Sequence, residues 1–364
     1  MTSCSFTILT AVLLAPLAIY GADVAPAPDL AQTQLRHRTA HWKYPAPPPV
    51  LVNITSSEWY KKGTHGSVAD PKLQAKREEM IRPVKQFWKQ TSEMSDWYVA
   101  DGDAKAAACA ISWLRSWADG GGVLGKLISL QGDGTPGGKA AEHILGVFLV
   151  DVGFTWIKLQ AAASPEDQAA INTWLRKIAA RVRDCAHAIK PETRNNIYYG
   201  YGLGMMAAGV GTKDPSYIAE AAKVYDFALS AIRDDGTLPR EMSREIKALT
   251  YHNRASWQLI MMAELARLQG LDWFGHQKSR LSLLVNRVVE GIKDPSFFNA
   301  KSGHKQSPVH HPCWLLYWQK QTTRPADVDA VLKTLALDDF SDPDYGGNVQ
   351  VMVEKNFFEP KTRR

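Results

Sequence analysis

From Lys72 onward the sequence repeats one pattern, apolar residues at helical spacing between capping signals, and this pattern limits the folds open to the chain. Runs in which apolar and polar residues alternate, as they do in strands, are almost absent. Ser164-Pro165 and Asp214-Pro215 each predict a helix start, because Ser and Asp cap free backbone N–H groups and proline suits the first helical position. Gly270 predicts the end of a long helix. The sequence therefore predicts an all-α protein.

The predicted helices are roughly four to six turns long and are joined by loops rich in Gly, Pro and Asp. Such a series favours antiparallel helix pairs that close into an α/α toroid, also described as an incomplete α/α barrel. No repeat of fixed period is present, which disfavours an open solenoid. The glycine-rich segment of residues 131–139 lacks the residue order of a nucleotide-binding loop, so we interpret it as a rim loop. We expect a single toroid domain over residues 51–364.

The N-terminus predicts export. An apolar run from Phe6 to Tyr20 is followed by small residues, and it is too short to span a membrane. We interpret residues 1–21 as a signal peptide, although no Lys or Arg precedes the run, and residues 22–50 as an extended arm rich in Pro and Ala. The expected location is the periplasm or the medium, with no membrane span in the mature protein.

The amino-acid composition limits the classes of partner and cofactor that we expect. Lys and Arg outnumber Asp and Glu by 43 to 37, an excess that suits a polynucleotide, an acidic polysaccharide or an anionic membrane. The basic residues form no dense run, which disfavours nucleic acid. The four cysteines lack metal-binding spacing, so we expect neither a metal nor another cofactor. The 12 tryptophans point weakly to carbohydrate, although core packing is the more common role of Trp.

Polar residues that suit one kind of chemistry lie in two stretches. One runs from Arg194 to Tyr199, and the other runs from Arg240 to Asn253. Amides, arginines and tyrosines without a Ser/His/Asp set favour removal of a proton next to a carboxylate. Asn and Arg neutralise the carboxylate and stabilise the charge that develops, and a Tyr acts first as base and then as acid.

These stretches resemble the bacterial mannuronate (alginate) lyases, a polysaccharide lyase family. The similarity extends from about Tyr60 to about Trp318 and includes four ordered motifs. The motifs are Ala108-Cys109-Ala110 with Trp113 to Ala118, Arg194 to Asn196, Asp235 to Glu241, and Ala248 to Asn253. The resemblance implies an enzyme that cleaves β-1,4-linked uronate chains by elimination inside an α/α toroid.

The resemblance assigns catalysis to Asn196, which would neutralise the substrate carboxylate, to Arg244, and to Tyr251 as the catalytic tyrosine. The family motif continues Asn-Asn-His-x-Tyr-Trp, whereas this chain has Ile197 in place of the His and Gly200 in place of the Trp. Isoleucine neither binds a carboxylate nor takes a proton. The role of the motif's histidine is therefore lost or supplied from elsewhere, and one of His310 and His311 is a candidate.

A second set of residues is predicted to bind substrate. Tyr60 and its neighbouring lysines fall near the mobile lid of the family. Each of the others has a simpler structural interpretation, such as capping a helix, filling the core or bonding to the backbone. The set is Tyr60, Lys61, Lys62, Arg194, Asn195, Tyr198, Tyr199, Arg240 and His252.

The substitution at Ile197 sharpens the expected mechanism. In β-linked mannuronate and glucuronate the C5 proton and the leaving oxygen lie on the same side, so Tyr251 alone can serve both. We therefore predict syn elimination on polymannuronate or polyglucuronate and weak action on guluronate. Two alternatives stay open: a glycoside hydrolase that uses Glu241 and Glu245, and a catalytically impaired periplasmic protein that binds polysaccharide during exopolysaccharide secretion.

Overall fold

A computed structural model describes residues 44–342, 344 and 346–359. The predicted signal peptide and most of the predicted arm lie outside the described residues. The longer helices are α1 (Pro71–Asp101), α2 (Ala104–Asp119), α3 (Ala140–Leu159), α4 (Pro165–His187), α5 (Asn196–Thr212), α6 (Pro215–Ala231), α8 (Ala248–Leu268) and α9 (Lys278–Lys293). The shorter helices are α7 (Pro239–Met242), α10 (Ser296–Ser302), α11 (Leu315–Trp318), α12 (Pro325–Leu332) and α13 (Val349–Glu354).

The capping signals start and stop the helices as predicted. The Ser164 hydroxyl accepts a hydrogen bond from the Asp167 N–H at the start of α4, and the Asp214 carboxylate accepts one from the Ser216 N–H at the start of α6. Helix α8 ends at Leu268, and Gly270 follows in the left-handed region at φ +74°. The local sequence alone therefore determines these boundaries.

The helices form two layers. Helices α3, α5 and α8 are buried on nearly all sides, whereas α2, α4, α6 and α9 bury one face and expose the other. Helix α5 packs against α3 and α8 in the inner layer and against α4 and α6 in the outer layer. Inner helices that are apolar all round and amphipathic outer helices are the pattern of an α/α toroid, which confirms the predicted fold class.

Glycines bring the inner helices α3 and α5 close together. A Cβ atom at Gly146 would lie 2.4 Å from the Tyr201 ring, and one at Gly153 would lie 2.8 Å from the Ala207 Cβ. The segment Ala140–Ala162, which contains α3, is long and apolar enough to cross a membrane, but 89% of its most apolar window is buried inside the protein. This close packing makes α3 a core helix of the toroid.

Short strands accompany the helices. Strand β1 (Ile54–Ser57) pairs in parallel with β2 (Leu127–Leu130), and β3 (Ser341–Asp342) pairs antiparallel with β4 (Gly347–Asn348). Strand β1 leads directly into Trp59 and Tyr60. It therefore fixes where the chain enters the cleft.

Tryptophan serves mainly the core, as its usual role suggests. Trp88, Trp97, Trp113, Trp117, Trp156, Trp174, Trp257, Trp314 and Trp318 are fully buried. The indole N–H groups of Trp113 and Trp117 donate to the carbonyls of Pro45 and Pro48, which ties the described end of the arm to α2. Among the described cysteines, Cys109, Cys185 and Cys313 are free thiols.

Candidate active site

Two tyrosines meet at the centre of the cleft. Tyr251 lies in the first turn of α8, Tyr60 follows β1, and their hydroxyl oxygens are 2.6 Å apart. Burial, together with the neighbouring Tyr251, raises the pKa of Tyr60 above its usual value. Tyr60 therefore keeps its proton and is the natural donor to the Tyr251 oxygen.

Arg244 and Lys247 place positive charge around this pair. The Arg244 guanidinium carbon lies 4.2 Å from the centre of the Tyr251 ring, and the Lys247 ammonium lies 5.3 Å from the centre of the Tyr60 ring. The Arg244 Nε atom is buried and has no hydrogen-bond partner among the described residues. A buried donor without a partner is costly, so this atom is suited to an anionic group that arrives with a ligand.

Residues 60–69 form a lid over the tyrosine pair. The lid closes on itself through a bridge between Tyr60 and Ala69, and the Arg244 guanidinium donates to the Gly66 carbonyl at 2.7 Å. Gly66 has φ +69°, and a Cβ atom there would lie 2.5 Å from Arg244 Nη2, so a larger residue would strain the backbone and displace the guanidinium. The lid carries Lys61 and Lys62 with their side chains exposed.

Glu245 holds the lid in this position. Its carboxylate accepts a hydrogen bond from the Ser67 hydroxyl at 2.6 Å and lies 2.8 Å from His65 Nδ1. These two hydrogen bonds lower the pKa of Glu245, with Ser67 contributing most. Arg244 and Glu245 therefore fasten adjacent parts of the lid beside Tyr251.

Asn196 is buried at the start of α5, where Glu241 fixes it. The Glu241 carboxylate accepts one hydrogen bond from the Asn196 backbone N–H at 2.6 Å and another from its side-chain amide at 2.9 Å. Burial raises the pKa of Glu241 to about 7, while the bonds from Asn196 oppose that shift. The Asn196 amide has a second N–H, and the side chain borders a cavity described next.

A cavity of about 20 Å³ lies where the family motif departs from this chain. Asn196, Ile197 and Gly200 line it from α5, and His143 lines it from α3. Arg254, Gln258 and Asp344 complete its polar lining. The sequence interpretation singled out Ile197 and Gly200 but missed His143, Arg254 and Gln258. The spacing of Tyr251, Arg254 and Gln258 along one face of α8 was a usable signal, whereas nothing local marks His143.

Four of the predicted substrate-binding residues surround the start of α5. Asn195 caps the helix by accepting a hydrogen bond from the Ile197 N–H. The Arg194 guanidinium packs 4.4 Å from the centre of the Tyr198 ring. Tyr198 and Tyr199 are buried in the core, at 5% and 2% exposure. The structure thus places Arg194, Asn195, Tyr198 and Tyr199 around Asn196 and not beside the tyrosine pair, and their binding role stays a prediction.

The other predicted residues differ in how far they are buried. His252 is fully buried, accepts a hydrogen bond from the Leu238 N–H and donates to the Ala248 carbonyl. The Arg240 side chain is exposed. His310 is also exposed, and neither it nor His311 lines the cavity beside Ile197. Within the described residues, no group of three or more His, Cys, Asp or Glu side chains is arranged to hold a metal ion.

The fold and the cleft together define a class of enzyme. An α/α toroid that brings together paired tyrosines, an arginine and a fixed asparagine offers groups that can bind an anionic ligand and exchange a proton. Comparison with known proteins supports this class: the family model described as alginate lyase matches residues 57–298. The chain therefore belongs to the alginate lyase family and is a polysaccharide lyase.

Individual relatives agree with the family. A polysaccharide lyase of Stenotrophomonas maltophilia is 34% identical over 326 residues, which cover 89% of this chain and 95% of the relative. An alginate lyase of Cobetia marina is 27% identical over 292 residues, covering 79% and 70% of the two chains. The solved structure of alginate lyase A1-III from Sphingomonas species A1 has a TM-score of 0.68 at 20% identity and covers 90% of this chain and 95% of its own. A variant of that enzyme complexed with a tetrasaccharide has a TM-score of 0.72 at 19% identity, covering 90% and 95%.

Proposed function

We propose that the protein is an exported lyase that cleaves β-1,4-linked uronate polymers, polymannuronate or polyglucuronate, by syn elimination through Tyr251. The observation that carries the proposal is the contact between the Tyr251 and Tyr60 hydroxyls, 2.6 Å apart, with Arg244 packed over the Tyr251 ring. One tyrosine that keeps its proton, beside another that is free to exchange its own, suits a single residue acting as base and then as acid.

The charge of the cleft supports an acidic substrate. Arg244 and Lys247 lie around the tyrosine pair, and Arg254 lines the adjoining cavity. Cations in a partly buried cleft attract and orient a chain that carries one carboxylate per sugar. The relatives named alginate lyases and the tetrasaccharide complex of A1-III support a uronate chain of several residues as the ligand.

The elimination balances without any added reactant. The Tyr251 phenolate, which accepts a hydrogen bond from Tyr60, takes the C5 proton, and the electron pair of that C–H bond forms the C4–C5 double bond. The C4–O bond breaks, and the leaving oxygen takes the same proton back from Tyr251. Arg244 and the Asn196 amide neutralise the carboxylate and stabilise the enolate-like charge while the proton is away from carbon.

Neither Ile197 nor His143 offers a strong second base. Ile197 cannot exchange a proton. Burial and the neighbouring arginines Arg254, Arg77 and Arg244 lower the pKa of His143 to about 3, so its neutral imidazole is a poor proton acceptor. Guluronate, whose proton and leaving group lie on opposite faces, needs two groups. This arrangement therefore supports the preference for mannuronate or glucuronate.

Hydrolysis fits the geometry less well. A glycoside hydrolase needs two carboxyl groups facing each other across the scissile bond. Glu241 is occupied with Asn196, and Glu245 is occupied with the lid. Neither carboxylate is placed to serve as the acid or base of a hydrolase.

Product analysis tests the proposal. Purified protein is incubated with polymannuronate or polyglucuronate, and the ends formed are followed by ultraviolet absorbance and identified by mass spectrometry. We expect unsaturated uronate ends, and none when Tyr251→Phe is used. Saturated ends would indicate hydrolysis, and binding without any cleavage would favour the polysaccharide-binding alternative. Export depends on residues 1–21, outside the described residues, and cell fractionation tests it.

A further inference from the structure

The cavity beside Ile197 holds two polar side chains without hydrogen-bond partners. Gln258 is 3% exposed, and its Oε1 atom has no partner among the described residues. His143 is partly buried and stacks on Trp59, with ring centres 6.4 Å apart and planes 10° from parallel. Its ring nitrogens form no hydrogen bond with any residue that the structure describes. Buried polar groups are usually paired, so an imidazole and an amide left open at one cavity suggest a ligand.

The two departures from the family motif both border the cavity. Ile197 and Gly200 both line it. A Cβ atom at Gly200 would lie 3.0 Å from Gln258 Nε2, so a larger residue there would press on the amide. A histidine at position 197 would direct its imidazole into the space that His143 reaches from α3. The same cavity can thus receive an imidazole from either helix.

Size and charge identify the group that fits. A cavity of about 20 Å³ holds one water-sized group, so a single oxygen enters it and a sugar ring stays outside. Arg254, Arg77 and Arg244 all act electrostatically on His143. The Asp344 carboxylate also lines the cavity and lies 3.7 Å from Arg254, but the three guanidinium groups outnumber it, which favours an anion. The neutral imidazole has one N–H to donate. The Gln258 atom without a partner is the Oε1 acceptor, but rotation about the last side-chain bond exchanges it with the NH2 group, which donates. These properties match one oxygen of a uronate carboxylate.

We propose that His143, presented from α3, binds the substrate carboxylate together with Gln258 and supplies the role that Ile197 no longer supplies. The inference rests on the proposed lyase function and adds a binding residue outside the family motif. His143 stays neutral here and donates a hydrogen bond, so it acts in binding and orientation while Tyr251 carries the proton.

Kinetics of designed variants test the proposal. His143→Phe keeps a ring against Trp59 but removes the N–H, and His143→Gln keeps a donor. On polymannuronate and polyglucuronate, His143→Phe should raise KM about tenfold or more, with a smaller fall in kcat, because a hydrogen bond to a charged group is lost. His143→Gln should stay within about threefold of the wild type. The exposed His276→Phe, which changes a histidine paired with Asp226 away from the site, is the matched control and should match the wild type.

The decisive experiment is rescue of the His143→Phe variant by a histidine on α5. In the His143→Phe background, Ile197→His should return KM to within about threefold of the wild type, because it places an imidazole in the same cavity. Binding of a mannuronate tetrasaccharide and of its carboxyl-reduced counterpart to Tyr251→Phe provides a second readout. Adding His143→Phe should weaken the acidic ligand about tenfold and leave the neutral one unchanged.

Three results would overturn the assignment: His143→Phe with KM within twofold of the wild type, loss of activity that Ile197→His does not restore, or equal weakening of both tetrasaccharides. Melting temperatures of all variants identify any that fail to fold. If His143→Phe does not fold, the comparison is made with His143→Gln. If wild-type protein forms no unsaturated ends, the lyase function itself fails. If the wild type is active and His143→Phe is unchanged, only this inference fails.

Discussion

The two walls of the cleft differ in how they are built. The wall around Tyr251 is formed by the lid and the segment before α8, and its contacts join charged or titratable groups such as Arg244, Glu245 and His65. The wall around Asn196 is formed mainly by the inner helices. Its groups are the buried Asn196 and Gln258 amides, a neutral imidazole and the buried Glu241 carboxylate that holds Asn196. The difference teaches that the proton-transferring tyrosine is placed beside a wall built largely from loop segments, whereas recognition is placed on a wall built from packed helices.

The largest expected effect comes from a substitution in the wall around Tyr251. Tyr251→Phe removes the oxygen that we propose exchanges the proton, so kcat should fall by roughly a thousandfold or more. Binding of an oligouronate should change little, since the ring and its contact with Arg244 remain. Initial rates and calorimetric affinity check both statements. Tyr217→Phe, which changes a tyrosine bonded to the Arg176 carbonyl on the outer layer, is the control. A Tyr251→Phe enzyme near the wild-type rate would remove the assignment.

Arg244→Ala should have the next largest effect. The variant loses the charge over the Tyr251 ring and the donor to the Gly66 carbonyl. We expect kcat to fall by roughly a hundredfold, as when one stabilising donor is removed from an active site. Arg183→Ala, on the outer helix α4, should leave kcat unchanged. Equal rates for the two variants would place Arg244 outside the chemistry.

Glu241→Gln tests whether Glu241, in the wall around Asn196, sets the pH dependence of activity. Burial raises the pKa of Glu241 to about 7, so the carboxylate takes a proton as the pH falls through that value. The protonated form cannot accept both Asn196 hydrogen bonds well, and wild-type activity should therefore fall below about pH 7. Glu241→Gln should lose this acidic limb and run roughly tenfold slower on the plateau.

The control for this pH profile is a second buried carboxylate. Glu264→Gln changes a glutamate that is paired with Arg267, away from the cleft. It should keep the acidic limb of the wild type. If Glu241→Gln retained the same limb, Glu241 would not be the group that titrates.

The smallest expected effect concerns the lid. Glu245→Ala removes the acceptor for Ser67 and the partner of His65, so the closed lid loses two of its contacts. We expect KM to rise a few fold with kcat nearly unchanged, because Tyr251 and Arg244 remain in place. Glu220→Ala breaks a matched His–Glu pair with His187 on the outer layer and should leave KM alone. Identical kinetics for the two variants would mean that Glu245 does not hold the lid.

The sequence was most informative where structure is local. Ser164, Asp214 and Gly270 mark helix ends through contacts within a few residues, and their boundaries follow directly. The apolar periodicity predicted the all-α fold class, and the predicted toroid arrangement is confirmed. In the site, the motifs around Tyr251 and Arg244 singled out two segments, and the structure places these two side chains in contact.

The rest of the site depends on contacts between distant segments. Glu241 reaches Asn196 across 45 positions, and His143 meets Ile197 only because α3 and α5 pack closely. Tyr198, Tyr199 and His252 are residue types that often bind ligands. In this protein they are buried in the helices that also carry Asn196 and Tyr251. Composition and spacing do not reveal which face of an inner helix borders the cleft. That information comes from tertiary packing.

The central claim is that one tyrosine, Tyr251, serves as both base and acid on one face of the sugar. The most direct measurement is the initial rate of ultraviolet absorbance increase from unsaturated ends on polymannuronate, polyglucuronate and polyguluronate at equal uronate concentration. We predict clear activity on at least one of the first two polymers, abolished in Tyr251→Phe, and a rate on polyguluronate about a hundredfold lower. Comparable rates on polyguluronate and polymannuronate would contradict the account, because elimination from guluronate requires a second group on the opposite face.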